Sequence, residues 1–317
     1  EVYMGEVPMM TNSGTFITNG VQRVVVNQMH RSPGVFFDHD KGKTHASGKL
    51  LFNCRVIPNR GSWLDFEYDV KDFLYFKIDR KKKIFSTTLL LALGFTKQEI
   101  ANEFYESEQF SFDQKTNKWK TKFNPENYKA KNFSEEVIDA KSGKVVIKLG
   151  DQINYVRAKK LSNDGLTDIL ISKESLFGKF LHKNIKINNE EDGVFKIGTE
   201  LNDTILQQII DAKIYSIQLS VTNSINKGAY LLNTILNDKN NSKDEAITEI
   251  YKMLRPGEPP TIEIATQIFN NLFFSSDRYD LSDVGRVKMN SRLEQDCSDK
   301  ITILRNDDII AIVHKML

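Results

Sequence analysis

Arg31 is the first residue whose setting suits it to bind an anion. It lies between two apolar runs, Val24–Val26 and Val35–Phe37, which favour buried β structure. The bend that contains it ends at Pro33, which cannot donate to a strand ladder, and Gly34, which permits a sharp turn. A cation held this rigidly can position an anionic ligand, and an ordinary surface arginine in a turn fits the same residues; both interpretations stay open at this point.

Trp63 has the aromatic surface that a stacked ligand would need. Residues 63–70 alternate between polar and apolar, and Trp63 falls on the polar side with Asp65 and Glu67. A tryptophan exposed at the start of a strand either stacks on a ligand or covers a neighbouring loop. Both readings stay open from the sequence.

The cations of Arg80–Lys83 follow directly on a predicted strand over Phe73–Asp79. Four consecutive positive side chains can contact phosphates, and each neutralised phosphate adds roughly one unit of salt dependence to binding. A run of this kind is also typical of a solvated turn.

Three other candidate motifs fail on spacing or burial. A phosphate-binding loop needs Gly-Lys followed by Ser or Thr, but Gly48-Lys49 is followed by leucine and Lys43 lacks the earlier glycine. Asp38–Asp40 includes a histidine, yet three adjacent loop residues do not converge easily on one metal ion. The helix pair predicted within 86–104 is too leucine-rich to read a DNA groove.

Composition bounds the remaining possibilities. The 317 residues carry 44 Lys and Arg against 42 Asp and Glu, a net charge of +2, so only local patches bear on nucleic-acid binding. Two cysteines provide neither a zinc quartet nor a disulfide framework and favour a reducing, intracellular setting. No apolar run has membrane-spanning length. The chain opens without methionine, and we expect it to be part of something longer.

The elements that must position these residues are short strands and helices of an α+β fold. Asn19-Gly20 predicts a hairpin, and alternation predicts strands over 50–56, 63–70 and 73–79. A helix capped by Ser86 or Thr87, a second one with a Thr96–Glu99 capping box, and helices within 228–254, 261–273 and 309–317 follow. Residues 284–290 would place Arg286 and Lys288 on one side if they are extended.

Residues 105–225 differ from their flanks and repeat weakly. Lys148–Ile153 matches Lys196–Leu201, and each is followed by a helical stretch and a strand. The offset of about 48 residues predicts two related strand-helix-strand units, packed on each other as an inserted binding or spacer module.

Strings at both ends of the chain resemble one family, the β subunit of bacterial DNA-directed RNA polymerase. They include Tyr3–Pro8, His30–Phe37, Arg60–Glu67, Ile78–Arg80, Met253–Pro260 and Asp277–Leu281, in collinear order. The resemblance covers 1–104 and 226–317. It implies that 1–22 end the protrusion (β1), that 23–104 and 226–317 form the lobe (β2) domain, and that 105–225 are a lineage-specific insertion.

In that family the lobe forms a wall of the downstream DNA cleft and contacts the non-template strand. The resemblance places Arg31, Trp63 and Asp79 around a flipped non-template base, with Arg80 and Lys81, Lys82 and Lys83 on phosphates. Val26 and Gln28 correspond to the rim of the rifamycin site.

The resemblance also implies what this chain lacks. The Mg²⁺-binding aspartates lie on the other large subunit and the rest of the β active-site floor lies beyond Leu317, so we expect no cofactor and no nucleotidyl transfer by the chain alone. Expected partners are DNA, the β′ and α subunits, a sigma factor and transcription factors on the insertion, in the cytoplasm at the nucleoid. A free-standing scaffold or regulator that shares the lobe sequence is the alternative function.

Overall fold

The computed structural model describes residues 2–3, 5–125, 131–132, 136–148, 150–187, 193–222 and 227–317. The chain divides into two compact units, residues 1–32 and residues 33–317. Within the described residues, no helix is both long enough and apolar enough to cross a bilayer.

The first unit contains the predicted hairpin. Strands β1 (Phe16–Thr18) and β2 (Val21–Arg23) pair antiparallel, and Asn19 and Gly20 join them with φ of 54° and 74°. Both positive angles belong to the tight hairpin turn that this dipeptide favours, so the prediction is confirmed.

Val24–Val26 contradict their predicted burial in a strand. They follow β2 without regular structure, and their exposed fractions are 65%, 68% and 82%. A β-branched run favours a strand only where a second surface covers it, and a unit of 32 residues supplies too little apolar area for one. Arg31 therefore has a buried segment on one side only, at Val35.

The second unit opens with an antiparallel sheet whose strands follow chain order. Its five strands are β3 (Gly34–His39), β4 (Phe52–Ile57), β5 (Leu64–Tyr68), β6 (Leu74–Ile78) and β7 (Ile84–Phe85). Leu64, Phe66 and Ile78 are fully buried, as the alternation predicts. The opposite face of the sheet carries the polar members of β5.

Two helices follow, α1 (Ser86–Ala92) and α2 (Lys97–Phe104). The Thr96–Glu99 capping box is present. The predicted cap by Ser86 or Thr87 is wrong, because both are inside the helix and fully buried. Thr87 instead donates to the carboxylate of Asp238, so tertiary structure uses the hydroxyl that local sequence assigns to capping.

The central module, residues 107–220, contains a seven-stranded sheet in the order β12-β11-β14-β9-β8-β18-β15. Its strands and helices are, in chain order, β8 (Ser107–Asp113), β9 (Lys118–Lys122), β10 (Lys131–Asn132), β11 (Val137–Asp139), β12 (Val145–Ile147), β13 (Gln152–Ile153), α3 (Tyr155–Asn163), β14 (Asp168–Ile171), β15 (Phe180–Leu181), β16 (Ile185–Lys186), β17 (Val194–Phe195), α4 (Asp203–Asp211) and β18 (Ser216–Ser220).

The helix and the following strand of each predicted repeat unit are present within this module. Asn154 caps α3 and Asn202 caps α4, each accepting from the backbone three residues later at 2.9 Å. The strands after the helices, β14 and β18, pair with β9 and β8 on opposite sides of the central hairpin. Residue 149 of the first repeat and the boundary at 225/226 lie outside the described residues.

The chain then returns to the first sheet as helices. These are α5 (Tyr230–Asn237), α6 (Lys243–Leu254), α7 (Ile262–Phe273), α8 (Ser282–Leu293) and α9 (Asn306–Met316). Residues 284–290 are not extended but lie within α8, so the condition that would put Arg286 and Lys288 on one side of a strand is not met. Arg286 is fully buried and forms an ion pair with Asp308. Two cations two positions apart are too few to establish the period of a strand.

Among the residues that the structure describes, buried apolar side chains form two separate cores. The first core combines residues from 35–105 and 231–313 with Ile197, and the second core draws only on residues 110–219. The α+β class is therefore confirmed, with one core assembled from the two flanks and another from the central module.

Candidate nucleic-acid interface

Trp63 and Asp79 lie opposite each other where β5 begins and β6 ends. The backbone N–H of Trp63 donates to Asp79 Oδ1 at 2.8 Å, and the N–H of Asp79 donates to the Trp63 carbonyl oxygen at 3.1 Å. Trp63 is half-buried and Asp79 is exposed. The structure thus joins two of the three residues that the resemblance assigns to a base pocket.

The turn after β6 directs Arg80 back toward Trp63. Asp79 and Arg80 have φ of 49° and 60°, and the N–H of Lys81 donates to the Ile78 carbonyl oxygen at 2.9 Å. Two positive φ angles with this hydrogen bond define a type I′ turn, which matches the twist of antiparallel strands. Neither central residue is glycine, although Asp tolerates this conformation better than most residues.

Two guanidinium groups flank the Trp63 indole. The Cζ atom of Arg80 lies 5.3 Å from the ring centroid, and that of Arg55 lies 5.8 Å away. Both distances are within the range of cation–π attraction. Arg55 is fixed further by its Nε, which donates to Asp65 at 2.7 Å.

The remaining cations of the 80–83 run have different surroundings. Lys81 Nζ donates to the carbonyl oxygen of Leu254 at 2.9 Å, and Lys83 Nζ lies 4.2 Å from the centroid of the Tyr75 ring. Lys82 is exposed. Arg80 and Lys83 therefore each contact an aromatic ring of the sheet.

Sequence reasoning missed three residues of this face: Arg55, Tyr75 and Lys77. Lys77 pairs with Glu67 at 2.7 Å across β5 and β6. An open depression of about 600 Å³ lies on this face, and its lining includes Arg55, Lys77, Arg80 and Lys83. The alternation of residues in β4 and β6 could have identified these three residues. Their outward positions fall beside those of Trp63 and Asp65 once the strands pair in register.

Arg31, Val26 and Gln28 belong to the first unit, where all three are exposed. His30 Nδ1 is hydrogen bonded to the carbonyl oxygen of Arg31 at 2.9 Å. The inclusion of Arg31 in the base pocket, and the antibiotic-site role of Val26 and Gln28, remain predictions.

Asp40 organises the loop between β3 and β4. Its Oδ1 accepts from the N–H of Leu51 at 2.9 Å and of Gly42 at 3.0 Å, and its Oδ2 accepts from Thr44 at 3.1 Å. These hydrogen bonds, led by that from Leu51, hold the pKa of Asp40 well below its usual range. Across the described ranges, no group of three His, Cys, Asp or Glu side chains is placed to hold a metal ion.

Comparison with known proteins defines the class to which this fold and face belong. A family model described as RNA polymerase Rpb2, domain 2, matches residues 31–161 and 200–317, so the chain belongs to that family. The model does not match residues 1–30 or residues 162–199, and the second of these segments lies within the central module.

Curated relatives narrow the similarity to bacterial subunits. The chain is 48% identical over 313 residues to the DNA-directed RNA polymerase subunit beta of Rickettsia prowazekii, and that alignment covers 99% of the chain. It is 47% identical over its whole length to the same subunit of Rickettsia conorii and 47% identical over 314 residues to that of Caulobacter vibrioides. The chain spans 23% of the length of each of these relatives.

Proposed function

We propose that this chain acts as the lobe of a bacterial DNA-directed RNA polymerase β subunit. It forms a wall of the downstream DNA cleft and binds the non-template strand during transcription. The observation that carries the proposal is the hydrogen-bonded pair Trp63–Asp79, with Arg80 over the indole, on an exposed sheet face. The family assignment supports the same role.

Each residue of the face has a chemical task in this proposal. Trp63 stacks on an unpaired base, a contact worth roughly 1–3 kcal/mol. Asp79 accepts from a base edge, because a carboxylate has about four lone-pair sites and Trp63 uses one. Arg80, Lys82 and Lys83 bind phosphates, which carry no sequence information but fix the path of the strand. Lys81, which the resemblance also places on phosphate, would first leave the Leu254 carbonyl oxygen.

Arg31 supplies a forked donor to the same base in this proposal. A guanidinium can bind a guanine edge through two parallel hydrogen bonds, which a single ammonium group cannot match. Val26 and Gln28 would then lie at the rim of the antibiotic site.

The domain organisation is part of the proposal. Residues 1–22 end the protrusion, 23–104 and 226–317 make the lobe, and 105–225 are the insertion. The separate second core supports this division, because the central module buries its own apolar residues. We propose that the insertion offers a surface for transcription factors, while the lobe assembles with the β′, α and sigma subunits.

Catalysis would belong to the assembled polymerase, a nucleotidyltransferase. The chain would contribute positioning of DNA, and the Mg²⁺ ions of nucleotidyl transfer would be bound elsewhere in the enzyme.

Binding of the 317-residue chain to single-stranded and forked DNA, measured across a range of salt concentrations, tests the proposal. We expect weak binding that weakens further with salt, with the salt slope reduced by about one for Lys82→Gln. Lys252→Gln, an exposed lysine on α6, is the matched control and should leave the slope unchanged. Absence of salt-sensitive DNA binding would contradict the role and favour the scaffold alternative.

A further inference from the structure

We propose that Tyr75 is a second stacking site for the same single strand, and that Arg80 and Lys83 move from the aromatic rings to phosphates when the strand binds. This inference rests on the proposed function and extends it along the sheet. Neither the family resemblance nor the alternation of the sequence assigned any role to Tyr75.

Strand register places Tyr75 on the face of Trp63. Tyr75 lies on β6, and Asp79, which is opposite Trp63, follows Tyr75 by four positions. Side chains an even number of positions apart along a strand share one face of the sheet. At ~3.3 Å per residue the two sites are about 13 Å apart. About four stacked nucleotides span that distance at the ~3.4 Å spacing of one strand of B-DNA, and fewer do so when extended.

The Tyr75 ring is held in a defined orientation. It stacks on Phe85, with centroids 4.9 Å apart and planes 18° from parallel, and Phe73 meets Phe85 edge-on. Burial, with a smaller effect of Asp69, raises the pKa of Tyr75, so the ring is neutral at physiological pH. A fixed, neutral aromatic ring is the kind of surface on which bases stack without sequence preference.

The two aromatic sites share the same arrangement. Arg80 covers Trp63 at 5.3 Å, and Lys83 covers Tyr75 at 4.2 Å. Both cations line the depression of about 600 Å³ on this face, together with Lys77. Trp63 and Tyr75 are not part of that lining, but the cation over each ring is. A nucleotide bound on this face would bring its base to a ring and its phosphate to the cation that had covered the ring.

The charges of the face support this exchange. Arg55 is paired with Asp65, and Lys77 with Glu67, both at 2.7 Å, so these four charges largely neutralise one another. Arg80 and Lys83 are held by aromatic rings. A cation–π contact at an exposed site is weak, whereas a cation–phosphate contact also releases counterions from the nucleic acid. Arg80 and Lys83 can therefore move to phosphates while the Arg55–Asp65 and Lys77–Glu67 ion pairs stay intact.

Tryptophan emission offers a direct readout. The chain has two tryptophans, and Trp119 is fully buried in the second core, so quenching by acrylamide reports on Trp63. A base stacked on Trp63 protects the indole from acrylamide. Titration with oligothymidylates of two and six nucleotides therefore measures the affinity of the chain for each. A ribonucleotide hexamer distinguishes RNA from DNA as the source of the strand.

We expect Tyr75→Leu to weaken binding of the DNA hexamer about 5- to 150-fold and to leave dinucleotide binding unchanged. Tyr75→Phe keeps the ring and should bind as the unsubstituted chain does. Lys83→Gln should lower the salt slope for the hexamer by about one.

Two results would overturn the inference while leaving the proposed function intact. One is a folded Tyr75→Leu chain with unchanged hexamer affinity, beside a Trp63→Ala chain that binds less tightly when affinity is measured by the anisotropy of a fluorescently labelled hexamer. The other result needs no folded Tyr75 variant. It is that the hexamer binds no more tightly than the dinucleotide and that Lys83→Gln leaves the salt dependence of hexamer binding unchanged. If the unsubstituted chain binds neither oligonucleotide, both the proposed function and this inference fail. Tighter binding of the RNA hexamer would overturn DNA as the strand.

Discussion

Asp79 fixes the backbone of Trp63 through hydrogen bonds in both directions. Its Oδ1 accepts from the Trp63 N–H at 2.8 Å, and its own N–H donates to the Trp63 carbonyl oxygen at 3.1 Å. The residue assigned to read a base edge therefore also positions the residue assigned to stack on the base. The two roles can be separated by substitution.

Asp79→Asn should preserve the position of Trp63, because an amide oxygen can accept the same hydrogen bond and Asn tolerates φ near 49°. Asp79→Ala loses the acceptor and places Ala in a left-handed conformation that costs about 1–2 kcal/mol. We expect acrylamide to quench Trp63 more strongly in the Ala variant than in the Asn variant. Equal quenching in the two variants would contradict a positioning role for the carboxylate.

Arg286 and Asp308 form a fully buried ion pair between α8 and α9. The guanidinium donates to Asp308 Oδ2 at 2.9 Å and to the carbonyl oxygen of Ile301 at 2.6 Å. Asp308→Ala leaves a buried cation without its carboxylate, and we expect a loss of about 3–5 kcal/mol in the free energy of unfolding. Urea titration measures this loss. Asp307→Ala, at a largely exposed neighbour, should cost under about 1 kcal/mol; similar losses in both variants would contradict the prediction.

His182 makes the stability of the chain dependent on pH. It is buried in the central module, its Nδ1 is bound to Ser220 Oγ and its Nε2 to Asn102 Oδ1 of α2, both at 2.9 Å. Burial, with a smaller effect of Lys183, lowers its pKa below 6.5. The unfolded chain then binds a proton before the folded chain does, so this contribution to stability is complete above about pH 6.5 and is lost as pH falls toward the folded pKa.

Urea unfolding of the chain at pH 7.5 and pH 5.5, compared with His182→Gln, isolates this effect. We expect the unsubstituted chain to lose more stability on acidification than the variant does. An equal loss in both chains would assign the pH dependence to groups other than His182.

The local elements of the fold follow from the sequence wherever neighbouring residues determine them. Asn19-Gly20 specifies its turn, the Thr96–Glu99 box begins α2, and strict alternation places Leu64 and Phe66 in the core. The repeat of the central module was also visible, because Lys148–Ile153 matches Lys196–Leu201. In the structure, Asn154 and Asn202 cap the helices that follow these two segments.

Features that depend on distant partners were not accessible in this way. Arg286 appears as a surface cation until Asp308 is brought to it, and Thr87 appears as a cap until Asp238 takes its hydroxyl. The same limit applies to the candidate site. Trp63 was identified from its place on the polar side of the alternation, but its contact with Arg55 required the register of β4 with β5.

Removal of residues 107–220 should leave the first core folded. The N–H of Val221 donates to the carbonyl oxygen of Glu106 at 2.8 Å, so the two ends are adjacent and a short glycine linker can join them. Some stability should be lost, because Ile197 packs in the first core and His182 binds Asn102. We expect one cooperative unfolding transition by circular dichroism. Its absence would show that the central module is required for the lobe to fold.

The central claim is that Trp63 stacks on a non-template base. The most direct test is the affinity of a polymerase, assembled with a β subunit carrying this sequence, for a labelled non-template strand. Trp63→Ala should weaken binding about 5- to 150-fold, while Trp63→Phe should retain most of it. Unchanged affinity in the Trp63→Ala enzyme would contradict the stacking role.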